Sequence, residues 1–265
     1  MSHEPIQYNQ KGHVACITLN RPEADNAIDL DMAVALQEVC RRINQDPGVR
    51  VVVISGTGDK DFCSGEDLRQ LSKSAYDEAP SLDSLKDFTL RYNVAEMVFG
   101  IECPVIAAVN GDARGAGLAL ALACDLRIAS AQASFGVGDP ARGCLLANGL
   151  TQLLPRIVGR GKAAELLLTA EAIEAAEALN IGLVHRVVPH QDVVSEAVKM
   201  AEDMASKAPI ALRYAKEAVN KGMDLTLDQG LRLECDLYML LHTTHDRTQG
   251  INAFREKRKP SFKGE

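Results

Sequence analysis

Tryptophan is absent from this 265-residue chain, and aromatic residues make up only 4% of it. Such scarcity argues against a lectin or a nucleic-acid binder that works by stacking. Positive charge is also short: 29 Lys and Arg stand against 36 Asp and Glu, for a formal net charge of −7. A phosphate backbone calls for the opposite balance, so no nucleic-acid partner is expected. The seven cysteines (16, 40, 63, 103, 124, 144 and 235) include no C-x-x-C pair. An odd, dispersed set fits reduced thiols buried as small hydrophobes, and with them a cytoplasmic location. No uninterrupted apolar stretch reaches the length of a membrane span, and the polar opening from Met1 to Tyr8 has no leader character, so no membrane partner is expected. His242 and His245 lie three apart in a helical stretch but have no further ligand candidates beside them, so no metal site is expected.

What the chain does have is apolar residues, 46% of the total, enough for a large core. Residues 6–8 and 13–19 read as paired strands across the turn Asn9-Gln10-Lys11-Gly12. A helix over 31–44 carries Met32, Leu36, Val39 and Ile43 on one stripe. Val51-Val52-Val53-Ile54 is apolar on both faces, as in a buried parallel strand, and 104–109 repeats that character. Residues 72–83 read as a polar surface loop ahead of a second helix bearing Phe88, Tyr92, Ala95 and Phe99. Residues 115–124 form a helix of small and aliphatic residues, which must be buried on all sides. Strands over 126–129 and 133–136 follow, then a mostly helical stretch from residue 148 with one strand over 184–188. Helices over 191–206, 209–221 and 226–248 complete the chain. The pattern is α/β, with strand–strand–helix turns over 1–190 and a C-terminal helical subdomain over 191–265.

Two glycine-bearing turns carry the chemistry. In Val109-Asn110-Gly111-Asp112-Ala113-Arg114-Gly115-Ala116-Gly117 a strand ends and a buried helix begins near Ala116. Free N–H groups at a helix start attract anions and developing oxyanions, and Gly115 and Gly117 let a ligand approach that backbone. The same segment also fits tight helix–strand packing with no ligand. In Asp61-Phe62-Cys63-Ser64-Gly65-Glu66-Asp67-Leu68 a similar turn follows a buried strand. Here Asp67 fits a helix cap, and Glu66 and Leu68 would present backbone N–H groups to a pocket.

Together these segments resemble the two oxyanion loops of the crotonase (enoyl-CoA hydratase/isomerase) superfamily. The resemblance extends to Ile17-Thr18-Leu19-Asn20-Arg21-Pro22 with Asn26-Ala27, to Thr151-Gln152 before Leu154-Pro155-Arg156, to Gly182-Leu183-Val184, and to the tail Phe254-Arg255-Glu256-Lys257-Arg258-Lys259-Pro260. It implies a spiral of ββα turns with a C-terminal helical trimerisation region, assembled as trimers or hexamers. It places the two oxyanion donors at the backbone N–H groups of Glu66 and Ala116. The partner is then an acyl-CoA thioester, with no cofactor beyond the coenzyme A of the substrate.

The resemblance also locates the acids, and here the chain departs from it. Of the two glutamates that hold water in the hydratases, one position falls on Ala119 and the other on Asp139. A third acid position, used by some isomerases, falls at Ala147-Asn148, which has no carboxylate. A lone carboxylate suits moving a proton between carbons better than adding water, which needs help at two centres. Isomerisation of a 3-enoyl-CoA with Asp139 as the proton carrier therefore ranks first. Hydration, or another enolate-forming lyase, hydrolase or decarboxylase reaction, ranks second. A non-catalytic acyl-CoA-binding protein is the third reading, and on residues alone Asp139 also fits a turn or cap before Pro140. For coenzyme A, the resemblance points to Ser64, Asp67 and Leu68 around the adenine and to Ala24, Asn26 and Ala27 along the pantetheine. It leaves Lys257, Arg258 and Lys259 to reach the 3′-phosphate, since Glu23 stands where many relatives carry a cation. A solvated basic tail is the alternative for those three. Arg114, Asp112 and Arg142 read as ion-paired rim residues, and Cys144 as a buried thiol.

Overall fold

A computed structural model describes residues 4–67, 93–138 and 148–265 of the chain. Valine, isoleucine and alanine fill the strands Val51–Gly56 (β3) and Val105–Val109 (β5), almost wholly buried along their length; the β-branched members suit a pleated, packed surface. Around them lie Ile6–Lys11 (β1), Val14–Leu19 (β2), Leu126–Ser130 (β7) and Arg186–Val188 (β10). These six form one sheet in the order β1-β2-β3-β5-β7-β10. Only β1 and β2 run antiparallel; the other pairings are parallel, with Cys16 opposite Val53, Val53 opposite Ile106, and Ala108 opposite Ile128.

A second sheet consists of Asp61–Cys63 (β4), Asp112–Arg114 (β6), Ser134–Gly136 (β8) and Ile173–Glu174 (β9), in the order β4-β6-β8-β9. Of these only β8 was expected, because strands of two or three residues are too short for alternation to register. The chain fills the two sheets in turn: β3 then β4, β5 then β6, β7 then β8. Helices Val94–Phe99 (α2, after Leu30–Gln45 as α1) and Ala116–Ala123 (α3) close successive turns. This is the spiral of strand–strand–helix turns that the resemblance implied. Phe88 and Tyr92 of the expected second helix, and the loop at 72–83, lie outside the described residues.

Local chemistry sets the helix bounds. Asp29 caps α1 by accepting from Met32 N at 2.8 Å, and Met32, Leu36, Cys40 and Ile43 bury one stripe. All eight residues of α3 are buried, as a helix of Ala, Leu and Gly with no polar face requires. Its C-terminal carbonyls meet the buried Arg127, whose Nη1 donates to Ala121 O at 3.2 Å and Cys124 O at 2.6 Å, while Nε donates to Leu183 O at 2.7 Å.

Seven further helices follow: Leu150–Val158 (α4), Arg160–Thr169 (α5), Ala175–Asn180 (α6), Val193–Ala205 (α7), Pro209–Gly222 (α8), Leu227–Leu241 (α9) and His245–Arg255 (α10). α7 lays Ala197, Ala201 and Ala205 against β3, β5 and β7. The helix expected over 226–248 is instead two, α9 and α10, because Thr244 caps a new start by accepting from Arg247 N at 3.3 Å. His242 and His245 thus sit on either side of a break, not on one helix face. Among the described residues no group of three or more His, Cys, Asp or Glu is placed to hold a metal, and no helix is long and apolar enough to cross a membrane. The tail folds back: Asp246 accepts from Lys263 N and Gly264 N, each at 2.7 Å, and Arg50 Nη2 donates to Phe262 O at 2.8 Å.

Cys40, Cys63, Cys103 and Cys124 are buried. Burial pushes Cys40, Cys63 and Cys124 up to about 12 and Cys103 up to about 11, so these are inert thiols, as expected. Cys235 departs from that expectation and is exposed, since it lies on the outer side of α9. Cys144 and Arg142 lie outside the described residues.

Candidate active site

Two asparagines hold the loop between β3 and β4. Asn26 Nδ2 donates to Thr57 O and Asp61 O, both at 2.9 Å, and its Oδ1 accepts from Arg21 N at 3.0 Å. From the other side Asn110 Oδ1 accepts from Gly56 N and its Nδ2 donates to Gly58 O, both at 2.9 Å. Both residues are buried, and their side-chain amides bond backbone at the end of β3, the start of β4 and the turns beside them. With the loop fixed, β4 delivers residues 64–67 beside the start of α1. Ser64 N donates to Asp25 O at 3.1 Å, Ile28 N to Gly65 O at 2.7 Å, and Asp67 N to Ile28 O at 2.9 Å.

That last pair makes a parallel bridge between Ile28 and Glu66. Because Ile28 is joined through the carbonyl of Gly65 and the N–H of Asp67, the N–H of Glu66 points to the opposite side. The start of α3 packs against the neighbouring Gly65. Gly65 has a φ of +101°, and a methyl group there would sit 2.9 Å from Arg114 O and 3.4 Å from Ala116 N. Gly117 is packed more tightly still, since a side chain on it would run into the Cys63 carbonyl. Glycine at these two places lets β4 and α3 meet backbone to backbone. Ala116 is the first residue of α3, preceded by Gly115, whose N–H is used by Gly136 O at 2.9 Å. Among the described residues no backbone carbonyl accepts from either Glu66 N or Ala116 N. Two donors unused by backbone carbonyls thus lie on segments that pack together where Gly65 meets Ala116, one of them carrying the positive end of a helix dipole.

The described residues add a carboxylate to the site. Asp139 and Leu68 lie outside the described residues. Ala119 is fully buried within α3 and its methyl group belongs to the core. Asn148 has a left-handed backbone, with a φ of +57°, and is buried; its Nδ2 donates to Glu66 Oε1 at 2.7 Å. Burial pushes the Glu66 carboxyl above the usual carboxylate range, and the Asn148 hydrogen bond works against that rise. Asn148 Oδ1 is buried with no hydrogen-bond partner among the described residues. The reading of Glu66 as a backbone donor alone thus missed its side chain. The one local signal was Asn148-Gly149, a dipeptide given to left-handed turns.

Other expected residues separate into those gathered at this place and those that are not. Ala24 and Ala27 are buried along the segment that touches residues 64 and 65, and Ser64 and Gly115 flank the two donors. The Asn26 side chain is fully engaged with loop backbone, which leaves only its main chain to meet a ligand. Asp67 accepts from Arg21 Nη2 at 3.1 Å; any capping of a following helix would fall on residues outside those described. Arg114 bonds Asp112 at 3.1 Å and Ser134 Oγ at 2.6 Å, as a rim ion pair should. Lys257 and Lys259 are exposed on the tail, and neither ammonium meets a carboxylate among the described residues; Arg258 is held by Glu256 and by Gln249 at 3.1 Å. A cavity of about 760 Å³ lies at the opposite end of α3 from Ala116, between Leu122, Cys124, Lys216 and Met223.

The family model described as enoyl-CoA hydratase/isomerase matches residues 9–265. Crotonyl-CoA hydratase of Syntrophomonas wolfei is 38% identical over 262 residues, covering 99% of each chain. (E)-benzylidenesuccinyl-CoA hydratase of Thauera aromatica is 38% identical over 268 residues, covering 98% of this chain and 99% of its own. A crystal structure of enoyl-CoA hydratase from Bacillus anthracis superposes with a TM-score of 0.91 at 39% identity, over 98% of this chain and all of that one.

Proposed function

Since the chain belongs to the enoyl-CoA hydratase/isomerase family, we propose that it binds an acyl-CoA thioester with the carbonyl oxygen on the N–H groups of Glu66 and Ala116. The chain is an enzyme of this family, and the question is which step it performs. The observation that carries the proposal is the pair of unused donors, Glu66 N turned away from its bridge to Ile28 and Ala116 N at the start of α3. As the α-proton leaves, charge grows on the thioester oxygen, where each donor contributes on the order of 3 kcal/mol. The base is Asp139 in this reading, and the reaction is the shift of a 3-enoyl-CoA to its conjugated 2-enoyl isomer. Ala119 supports that choice, because a buried methyl group stands where a second water-holding acid would be. Ala24, Ala27, Ser64 and Gly115 line the path of coenzyme A in this reading, with Lys257 and Lys259 reaching its phosphate across a subunit boundary.

Hydration is the second reading, favoured by the names of the two hydratases that match over nearly the whole chain. Both reactions pass through the same enolate. Incubation of the protein with a saturated acyl-CoA in deuterium oxide therefore tests the shared step: exchange of the α-hydrogens is expected. Absence of exchange, together with no turnover of either 2-enoyl- or 3-enoyl-CoA, would overturn the proposal.

The assembly proposed is a trimer or a pair of trimers. Leu227, Leu231, Tyr238 and Met239 on α9, with Phe254 on α10, are exposed apolar side chains on the C-terminal helices. Apolar area concentrated this way marks a surface that meets another chain.

A further inference from the structure

We propose that the Glu66 carboxyl, positioned by Asn148, is the general acid that returns a proton to carbon of the bound enolate. The inference rests on the acyl-CoA reading and deepens it. It follows from where the side chain starts. Any thioester oxygen seated on the Glu66 N–H lies about 3 Å from that nitrogen. In this proposal the carboxyl, on a side chain rooted beside that nitrogen and held by Asn148, reaches the acyl carbons next to the thioester.

Three observations show a group held for proton transfer and not for an ion pair. No cation pairs with Glu66 among the described residues. Oε1 is fixed by Asn148 Nδ2 at 2.7 Å, while Oε2 has no protein partner among them. The second atom of the same amide, Asn148 Oδ1, is buried and unpartnered. A buried lone oxygen is costly to leave unpaired, and a protonated carboxyl is the donor it lacks. Rotating the amide by half a turn would present Oδ1 to Glu66 in its protonated form, as Nδ2 serves the ionised form. One side chain can thus hold Glu66 in both protonation states, which a proton-transferring group requires. Burial of Glu66 adds to this by favouring the protonated form.

In the step itself the Glu66 O–H bond breaks and a C–H bond forms from the carbon–carbon π pair of the enolate. The electrons on oxygen re-form the thioester carbonyl, leaving the Glu66 and Ala116 N–H groups on a neutral oxygen. Glu66 is left as carboxylate and regains its proton from solvent water before the next turnover. In isomerisation Asp139 takes the α-proton and then releases it to solvent, while Glu66 delivers hydrogen to the γ-carbon; after water addition Glu66 delivers it to the α-carbon.

The test is Glu66→Gln in the full-length enzyme, which keeps the backbone N–H and an acceptor for Asn148. Turnover of a short 3-enoyl-CoA and of crotonyl-CoA should fall by about 100-fold or more at nearly unchanged KM, the range of general acid catalysis. In the wild type kcat should fall as pH rises and Glu66 ionises, and that alkaline limb should vanish in the variant. Asn148→Asp should move the limb to higher pH, because a second carboxylate opposes ionisation of the first. Turnover of Glu66→Gln within about threefold of wild type with the limb intact would overturn the inference, and so would an unmoved limb in Asn148→Asp should the first variant not fold. A wild-type protein without turnover or α-hydrogen exchange would instead defeat the acyl-CoA reading, and this inference with it.

Discussion

Arg21 lies 3.1 Å from Asp67 through Nη2 and 3.1 Å from Asp29 through Nη1, so one guanidinium ties the cap of α1 to the end of the loop that carries Glu66. Its Nη1 also donates to Ala27 O at 2.6 Å. Both carboxylates are buried. The position of the Glu66 N–H therefore depends on a charge more than forty residues away in sequence.

Arg21→Leu should destabilise the protein by about 3–5 kcal/mol, since two buried carboxylates lose their shared cation. Urea unfolding followed by circular dichroism measures this. A change below about 1 kcal/mol would mean that the triad is no more than a surface ion pair in its energetics.

Glu66 predicts a pH-dependent stability whose sign is fixed by its surroundings. Burial raises the carboxyl in the folded state above its unfolded value near 4.3. The protonated form is thus the one the fold favours, and its contribution is fully present below the unfolded pKa and lost as pH rises through the folded one. Glu66→Gln does not titrate, so its melting temperature should gain on the wild type as pH is raised from 4 to 8. A difference between the two proteins that stays constant over that span would contradict the assignment.

The exposed leucines of α9 predict the assembly. Leu227 is 78% and Leu231 55% exposed in the single chain. If they are covered in an oligomer, each contributes roughly 1.5–3 kcal/mol per interface, and the double variant Leu227→Glu with Leu231→Glu should sediment as a monomer. An unchanged sedimentation coefficient would place the contact elsewhere.

Long, uniform signals were legible in the sequence and short or non-local ones were not. The apolar runs of β3 and β5 and the all-buried α3 announced themselves because every residue carries the same message. The second sheet, built of strands of two or three residues, left a trace only at β8. At the site, Gly65 and Gly117 pointed to close backbone approach, and they permit the contact of β4 with α3. Asn26 read as a ligand-lining residue, and its side chain also braces the carbonyls of Thr57 and Asp61. Backbone acceptors have no sequence signature, so nothing could separate the two roles. The Glu66 side chain escaped notice for a different reason, since its partner Asn148 lies 82 residues away.

Arg127 has a consequence for ionic strength. It places a buried full charge on the carbonyl end of α3, whose eight residues span about 12 Å. The negative pole of that helix is neutralised from within the protein, by a cation that dissolved anions cannot reach. Salt screens exposed charges over about 8–10 Å, but it acts weakly on a helix buried along its whole length. Whatever anion rests on the Ala116 N–H therefore feels a field that added salt leaves nearly untouched, whereas any grip of the exposed tail lysines on a phosphate weakens as salt is added.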